Sequence, residues 1–306
     1  MAKRGSSTEI ARDVNLERAA VIFGFLVLAL GIFLWWQFVF SSAERTFWGM
    51  VNNNLQTRGI TRYIKQEADD GKLEQTMQLE LGAQNLVKGE TVIEQQDMDG
   101  KMTRVVAESL ATTDVNYSRY TDVSTGQKSS KGKTLDFGPL LGVWGKEEVS
   151  SQSQTQGGFS EVAFSAIPFA YLDANSREAI IGFMRESNTY DINFADAKKE
   201  ELNGRQVYRY KITVNPVAYV SSIKKIDKAM GLNELGEVDA NAYAASPQIQ
   251  MEVVVDIISR QLVEVIYGEG QRSEYYSGYG VHTGAEIPAS TVSRQELELR
   301  LNELLQ

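Results

Sequence analysis

The chain has 306 residues, a formal net charge of −9, no cysteine and a single histidine. The lack of cysteine excludes disulfide scaffolds, thiolate metal sites and cysteine nucleophiles, and one histidine excludes multi-histidine metal centres. The acidic balance argues against a nucleic-acid-binding protein, because such proteins present a basic surface to the phosphate backbone.

Residues 19–41 predict a transmembrane helix. The segment contains no charged residue, and Gln37 is its one strongly polar residue. About 20 apolar residues are enough to cross the hydrocarbon core of a bilayer. Trp35 and Trp36 stand near its C-terminal end, where aromatic side chains lie at the membrane interface.

The charges that flank this segment predict its orientation. Residues 1–18 carry four basic residues, whereas only Arg45 follows the segment closely. The positive-inside rule therefore makes residues 1–18 a cytoplasmic tail and places the rest outside the cytoplasm, as a single-pass protein of the cell membrane. Ser41-Ser42-Ala43 resembles a signal-peptide cleavage site, but the apolar run exceeds the usual ~7–15 residues, which favours an uncleaved anchor.

Residues 42–70 predict a juxtamembrane helix, and residues 71–306 an extracytoplasmic domain onto which that helix packs. Apolar residues from Phe47 to Ile64 recur at spacings of three and four, which is typical of a helix over residues 43–68. Gly71 follows an acidic pair and serves as the stop signal.

Strand patterns follow in the first half of the domain. Met77, Leu79 and Leu81 alternate with polar residues. Residues 90–96 and 102–110 flank a sequence that ends in Asp99-Gly100, which predicts a β-hairpin. Another strand is expected over residues 112–123.

The middle of the chain predicts loops and short helices. Residues 124–134 and 150–158 are polar loops, and residues 135–145 contain a helical turn near Pro139. A helix is predicted over residues 175–186, with Asn175 as its N-cap.

The second half alternates more regularly, with a turn at Asn203-Gly204. Strands are predicted over residues 190–194, 207–214, 249–257, 262–267 and 272–279, and helices over residues 216–230 and 292–305. Antiparallel strands joined by short turns, with helices between them, indicate an α+β domain in which helices cover one face of an antiparallel sheet.

Three stretches resemble the last strands of the LolA, LolB and LppX/LprG-like family of envelope lipoprotein and lipid carriers. They are NGRQVYRYKITVNP (203–216), MEVVVDIISRQLVEVIYG (251–268) and EYYSGYGVHTGAEIPA (274–289). The resemblance implies a half-barrel, that is, an open and strongly curved antiparallel sheet wrapped around helices, with an apolar cavity between them. Many members are anchored through a lipid-modified cysteine, whereas this chain has no cysteine and a helix would replace that anchor.

The inward-facing residues of the predicted strands and covering segments are the candidates for the cavity lining. They are Met77, Leu79, Phe164, Phe169, Phe183, Met184, Tyr210, Ile212, Met251, Val253 and Val255. The same residues would equally form a filled core, and the sequence leaves both alternatives open.

No motif predicts a catalytic residue, a metal site or a cofactor. His282 lies in a polar turn, and no G-x-S-x-G sequence accompanies it. The acidic run after Asp97 lacks the glycine position of a calcium-binding EF-hand loop, and there is no phosphate-binding GxxxxGK[ST] sequence. Tyr267, Tyr275, Tyr276 and Tyr279 are expected to pack across strands.

These observations favour a non-enzymatic, membrane-anchored extracytoplasmic domain that binds a lipid, acyl chain or lipoprotein in an apolar cavity under a curved sheet. Its predicted partners are the lipid bilayer and that ligand, without nucleic acid. The alternative is a non-enzymatic protein-interaction or envelope-sensing module on the same fold, with an envelope protein as partner. An envelope enzyme is a third hypothesis.

Overall fold

The computed structural model describes residues 25–33, 35, 42–82, 84–97, 99–129, 131–149 and 158–305. Residues 25–33 are helical, and their large apolar side chains are exposed, as in Phe25 at 68 %. The predicted tail and the rest of the predicted span, apart from residue 35, lie outside the described residues. Within the described ranges, no helix is both long enough and apolar enough to cross a membrane.

From residue 42 onward the described residues form thirteen strands and five α-helices, together with four short 3-10 helices. The strands are β1 (Gly59–Ala68), β2 (Gly71–Glu80), β3 (Leu86–Gln96), β4 (Met102–Thr112), β5 (Val115–Thr125), β6 (Gly145–Glu148), β7 (Tyr190–Ile192), β8 (Lys198–Leu202), β9 (Arg205–Val214), β10 (Ile249–Asp256), β11 (Leu262–Tyr267), β12 (Arg272–Ser277) and β13 (Val292–Ser293). The helices are α1 (Ala43–Asn54), α2 (Gly158–Ala163), α3 (Ala174–Glu186), α4 (Pro216–Met230) and α5 (Arg294–Leu305).

All strands join one curved, open sheet in the order β13-β6-β5-β4-β3-β2-β1-β12-β11-β10-β9-β7, and β8 also pairs with β9. Every pair is antiparallel except β13 with β6. The pairing register shifts at Val106/Ala107 and at Val254/Val255, and such bulges bend a strand and increase its twist. The predicted α+β class with a largely antiparallel, helix-covered sheet is therefore confirmed.

Helices α1, α3 and α4 cover the inner face of the sheet over β9–β12. Phe47 of α1 is fully buried, and its ring contacts the rings of Trp48, Tyr190, Phe194 and Tyr210. The Tyr210 hydroxyl also donates to the Ala43 carbonyl at 2.8 Å, at the first turn of α1. The main hydrophobic core lies here, because apolar faces of three helices meet one face of the sheet.

Helices α2 and α5 cover the other half of the same face more thinly. Helix α2 has only six residues and lies over β2, β3 and β4, and α5 packs on β6 and β13. The backbone N–H of Gly158 donates to Asn116 Oδ1 at 3.0 Å, which ties the start of α2 to β5. This thinner cover leaves open clefts between the helices and the sheet.

The predicted helix over residues 43–68 is correct only as far as Asn54. Residues 59–68 form β1, in which Ile60, Arg62 and Ile64 are buried at every second position. Arginine at the central position interrupts the apolar alternation, so the sequence does not show the period-2 pattern of a strand here. Gly71 is accordingly the first residue of β2 and not a helix stop.

The sequence predicts the turns and the ends of helices more accurately than the ends of strands. The hairpin at Asp97–Gly100 forms as predicted, and Asp97 Oδ1 accepts from two backbone N–H groups in it. Helix α4 begins at Pro216 and ends before Gly231, which has a left-handed backbone. The N-cap of α3 is Asp173, two residues before the predicted Asn175, because the Asp173 carboxylate accepts from two free N–H groups of the first turn.

Candidate functional site

One row of residues crosses the inner face of the sheet from β1 to β5. Arg62 pairs with Met77, Met77 with Gly89, Gly89 with Ser109, and Ser109 with Ser118. Residues that pair directly across strands point to the same face, so these five side chains lie side by side. Because three of the five are glycine or serine, the row leaves free space above the sheet.

Glycine at position 89 is required by this packing. A Cβ atom there would lie 2.0 Å from Met77 Sδ and 2.9 Å from Ser109 Oγ. The Met77 side chain therefore lies over Gly89, and the open part of the row begins beyond it.

Two adjoining clefts lie along this row. The central cleft, about 550 Å³, is bounded by β1, β9, β11, β12, α4 and residues 164–166. The side cleft, about 260 Å³, is bounded by β2–β5 and by the first residues of α2 and α5. Glu161 of α2 lines both clefts and so stands at the point where they meet.

A third cleft of about 330 Å³ lies farther out on the same face. Its floor comes from β3, β4 and β5, and its roof from residues 135–137 and Leu301 of α5. The inner face of the sheet thus offers a series of open clefts with mixed apolar and polar linings. The largest of these inner-face clefts is within the range of about 300–1,000 Å³ that is typical of small-molecule sites.

Arg62 forms the charged wall of the central cleft. Its side chain is buried, with 1 % of the residue exposed, although it carries a full positive charge. Nη2 donates to Glu161 Oε1 at 3.2 Å, and Nη1 lies 3.9 Å from Glu274 Oε2. Nε has no hydrogen-bond partner among the described residues.

Glu274 has fewer unused hydrogen-bonding positions than Arg62. It is 2 % exposed and accepts from Arg272 Nε at 3.1 Å and from Arg272 Nη2 at 2.7 Å. The Tyr276 hydroxyl donates to its other carboxylate oxygen. Glu274 is therefore held on β12 by its own strand neighbours, and its charge is balanced mainly by Arg272.

Tyrosine hydroxyls add hydrogen-bonding groups to this wall. Burial raises the pKa of Tyr219, Tyr267 and Tyr276, so all three phenols stay protonated at neutral pH. The Tyr219 hydroxyl lies 2.9 Å from the Phe164 carbonyl and 2.6 Å from the Ser165 carbonyl, which fixes the segment after α2 against α4. That segment forms the roof of the central cleft.

Most of the predicted cavity residues lie in the packed core instead. Met77 lines the side cleft, and Phe164 lines the central cleft. Ile212 and Met251 belong to the core and also border a shallow cleft at the β9–β11 edge. The ring of Phe183 is half-buried, with Lys225 Nζ 4.5 Å from its centre. The remaining candidates are buried in the main core: Leu79, Phe169, Met184, Tyr210, Val253 and Val255.

His282 lies in an exposed turn, as predicted, with 80 % of its side chain exposed. Its Nδ1 is 2.6 Å from Glu80 Oε1. Partial burial pushes the pKa of Glu80 up, but hydrogen bonds from Thr283 and His282 outweigh it and lower the pKa overall. Among the described residues, no group of three or more acidic or histidine side chains is arranged to hold a metal ion.

Arg62, Glu161 and Glu274 were missed at the sequence level. The sequence around each of them predicts an ordinary helix, loop or strand. A single charged residue in such a segment is a weak indication of a binding site. The usable signal was the alternation of Ile60, Arg62 and Ile64, which would have marked Arg62 as an inward-facing charge.

No protein-family model and no curated protein matches this sequence. Among solved structures, the chain is similar to the crystal structure of LprF from Mycobacterium bovis, at 11 % identity and a TM-score of 0.37. The match covers 81 % of this chain and 97 % of that chain. This likeness concerns the fold alone.

Proposed function

We propose that this protein is a membrane-anchored extracytoplasmic domain that binds the acyl chain of a lipid or lipoprotein in the clefts on the inner face of its sheet. The observation that carries the proposal is the side cleft over Ser109 and Ser118, together with the central cleft that shares Glu161 with it. A fully packed domain would fill this row with large side chains, as the main hydrophobic core under α1, α3 and α4 does.

The lining of the side cleft supports an apolar occupant. Met77, Val87 and Ala111 contribute aliphatic side chains on the inner face. Burial of an acyl chain here releases about 0.8 kcal/mol for each methylene group removed from water. Open mouths allow the polar end of such a ligand to stay hydrated.

We further propose that residues 19–41 anchor this domain in the cell membrane, with residues 1–18 in the cytoplasm. The exposed apolar side chains of residues 25–33 support this, since a helix that is apolar all round needs a non-aqueous environment. Helix α1 starts at Ala43, so the proposed anchor leads directly into the folded domain.

The test is photolabelling of the full chain in bilayer nanodiscs with a lipid that carries a diazirine near the end of its acyl chain. Labelled peptides are then mapped by mass spectrometry. We expect labelling at residues 19–41 from the bilayer and, separately, at inner-face positions such as Met77, Val87 and Ala111.

A matched pair of variants makes this test specific. Ser109→Phe fills the row on the inner face, whereas Thr76→Phe adds the same ring at an exposed position on the outer face. We expect Ser109→Phe to abolish labelling of the clefts and Thr76→Phe to leave it unchanged. Labelling confined to residues 19–41 in the wild-type chain would contradict acyl-chain binding by the domain.

A further inference from the structure

Arg62 is a buried cation with too few hydrogen-bond partners. A guanidinium group has five N–H donors, and burial of any of them without an acceptor is costly. Among the described residues, Arg62 makes one hydrogen bond of 3.2 Å and one looser ion pair of 3.9 Å. Its Nε is buried in the wall of a 550 Å³ cleft with no acceptor.

The two carboxylates near Arg62 differ in how firmly they are held. Glu274 is fixed by Arg272 and Tyr276, so it cannot turn toward Arg62 without breaking those bonds. Glu161 has a side chain that is 48 % exposed, and Arg62 is its single ion-pair partner in the described structure. The Glu161 carboxylate is therefore free to rotate into water, and the cost of that rotation is the loss of a partner for buried Arg62, which an incoming anion would restore.

The net charge of this wall changes from zero to +1 when Glu161 leaves. Arg62 and Arg272 are balanced by Glu161 and Glu274 while all four groups are together. Without Glu161 the wall carries one unbalanced positive charge, located at Arg62. An incoming carboxylate or phosphate would restore neutrality and supply acceptors for Nε and Nη2, because two oxygens of either group can accept from adjacent N–H groups of a guanidinium.

We propose that Arg62 binds the anionic head of the ligand, and that the Glu161 carboxylate occupies this place when no ligand is bound. The ligand class is then an amphiphile with a carboxylate or phosphate head and an apolar tail that extends past Glu161 into the side cleft. This inference rests on the proposed function, because it names the head group of the same ligand.

The geometry of the clefts fits such a ligand. Arg62 and Met77 are paired neighbours on the sheet, so the proposed head-group site adjoins the Met77 end of the row that crosses the inner face. Glu161 lines both clefts, and its departure opens the passage between them. The Tyr267 hydroxyl, kept protonated by burial, is available on the same wall as a further donor.

The experiment compares anionic and neutral probes on the full chain in nanodiscs. The probes are palmitate, methyl palmitate and a single-chain acylglycerol phosphate, each with a diazirine near the tail end. Labelling of the clefts is divided by labelling of residues 19–41, which corrects for partition of each probe into the bilayer. Arg62→Gln and Glu161→Gln are tested with Arg104→Gln as control, since Arg104 pairs with Glu94 and Asp122 on the outer face.

We expect at least one anionic probe to label the clefts of the wild type about tenfold more strongly than methyl palmitate. Arg62→Gln should remove that preference and leave methyl palmitate unchanged, and Glu161→Gln should raise anionic labelling several-fold by removing the competing carboxylate. Preference for palmitate alone identifies a carboxylate head, and equal preference for both anions identifies any oxyanion.

Equal labelling by all three probes, unaffected by Glu161→Gln, would overturn the role of Arg62 while leaving acyl-chain binding intact. Labelling of the clefts by none of the probes would overturn the proposed function itself. Glu161 is half-exposed, so its variant keeps the proposal testable even if Arg62→Gln fails to fold.

Discussion

Replacement of Phe47 by alanine tests whether α1 belongs to the folded domain. The sequence alone assigned this helix to a juxtamembrane segment and began the domain at residue 71. In the structure the Phe47 ring is fully buried and contacts four aromatic rings. Loss of a buried phenylalanine side chain costs about 3–5 kcal/mol, and the number of ring contacts places Phe47 at the upper end of that range.

The expected loss of about 4 kcal/mol is a large part of the ~5–15 kcal/mol that stabilises a typical domain. The assay is urea unfolding of the full chain, followed by tryptophan fluorescence, since Trp48 lies beside Phe47. Glu44→Ala on the exposed side of the same helix is the control and should change the free energy of unfolding by less than about 0.5 kcal/mol. A loss below about 1 kcal/mol for Phe47→Ala would refute the view that α1 is part of the core.

Three further substitutions test local energetics. Burial raises the pKa of Glu234, with the nearby charge of Asp227 adding to the effect, and its Oε1 is buried without a partner. The folded state therefore holds this proton more tightly than the unfolded state does, so the domain loses stability as the pH rises from the unfolded pKa of Glu234 through its folded pKa. We expect Glu234→Gln to remove this pH dependence and to stabilise the domain by about 0.5–1 kcal/mol at pH 7. The measurement is urea unfolding at about pH 4.5 and pH 7. Gly231→Ala should destabilise the domain by about 1 kcal/mol, because the φ angle of Gly231 is +75° and a Cβ atom there would meet only open space. Gly182→Ala inside α3, also in open space, should stabilise the domain by about 0.5–1 kcal/mol. A change in stability of the same sign for both variants in thermal unfolding would contradict the backbone explanation.

The predictable part of the fold is the part encoded in local patterns. Alternation of apolar residues predicted β9 and β10 because one face of each strand packs on helices, and Pro216 and Gly231 bounded α4 through backbone geometry alone. Short β6 and β13 were not predicted, since four-residue and two-residue strands are stabilised by their neighbours and carry no period of their own.

The candidate site was harder to predict, for a physical reason. A buried apolar residue such as Leu79 or Val253 has the same sequence pattern whether it lines a cavity or fills a core, and the packing of α1, α3 and α4 decides for the core. The clefts arise where small residues of separate strands fall into one row, and that depends on the register between β2, β3, β4 and β5. Register is set by long-range pairing, so the row is not visible in any one segment of the sequence.

The most direct test of the account is native mass spectrometry of the full chain released from detergent micelles, with and without Ser109→Phe. We predict that the wild-type chain and Thr76→Phe each retain one bound amphiphile after the micelle is removed, and that Ser109→Phe retains none, because the added ring fills the row between Gly89 and Ser118. Equal retention by all three chains, or none by the wild type after incubation with acyl lipids, would contradict ligand binding on the inner face of the sheet.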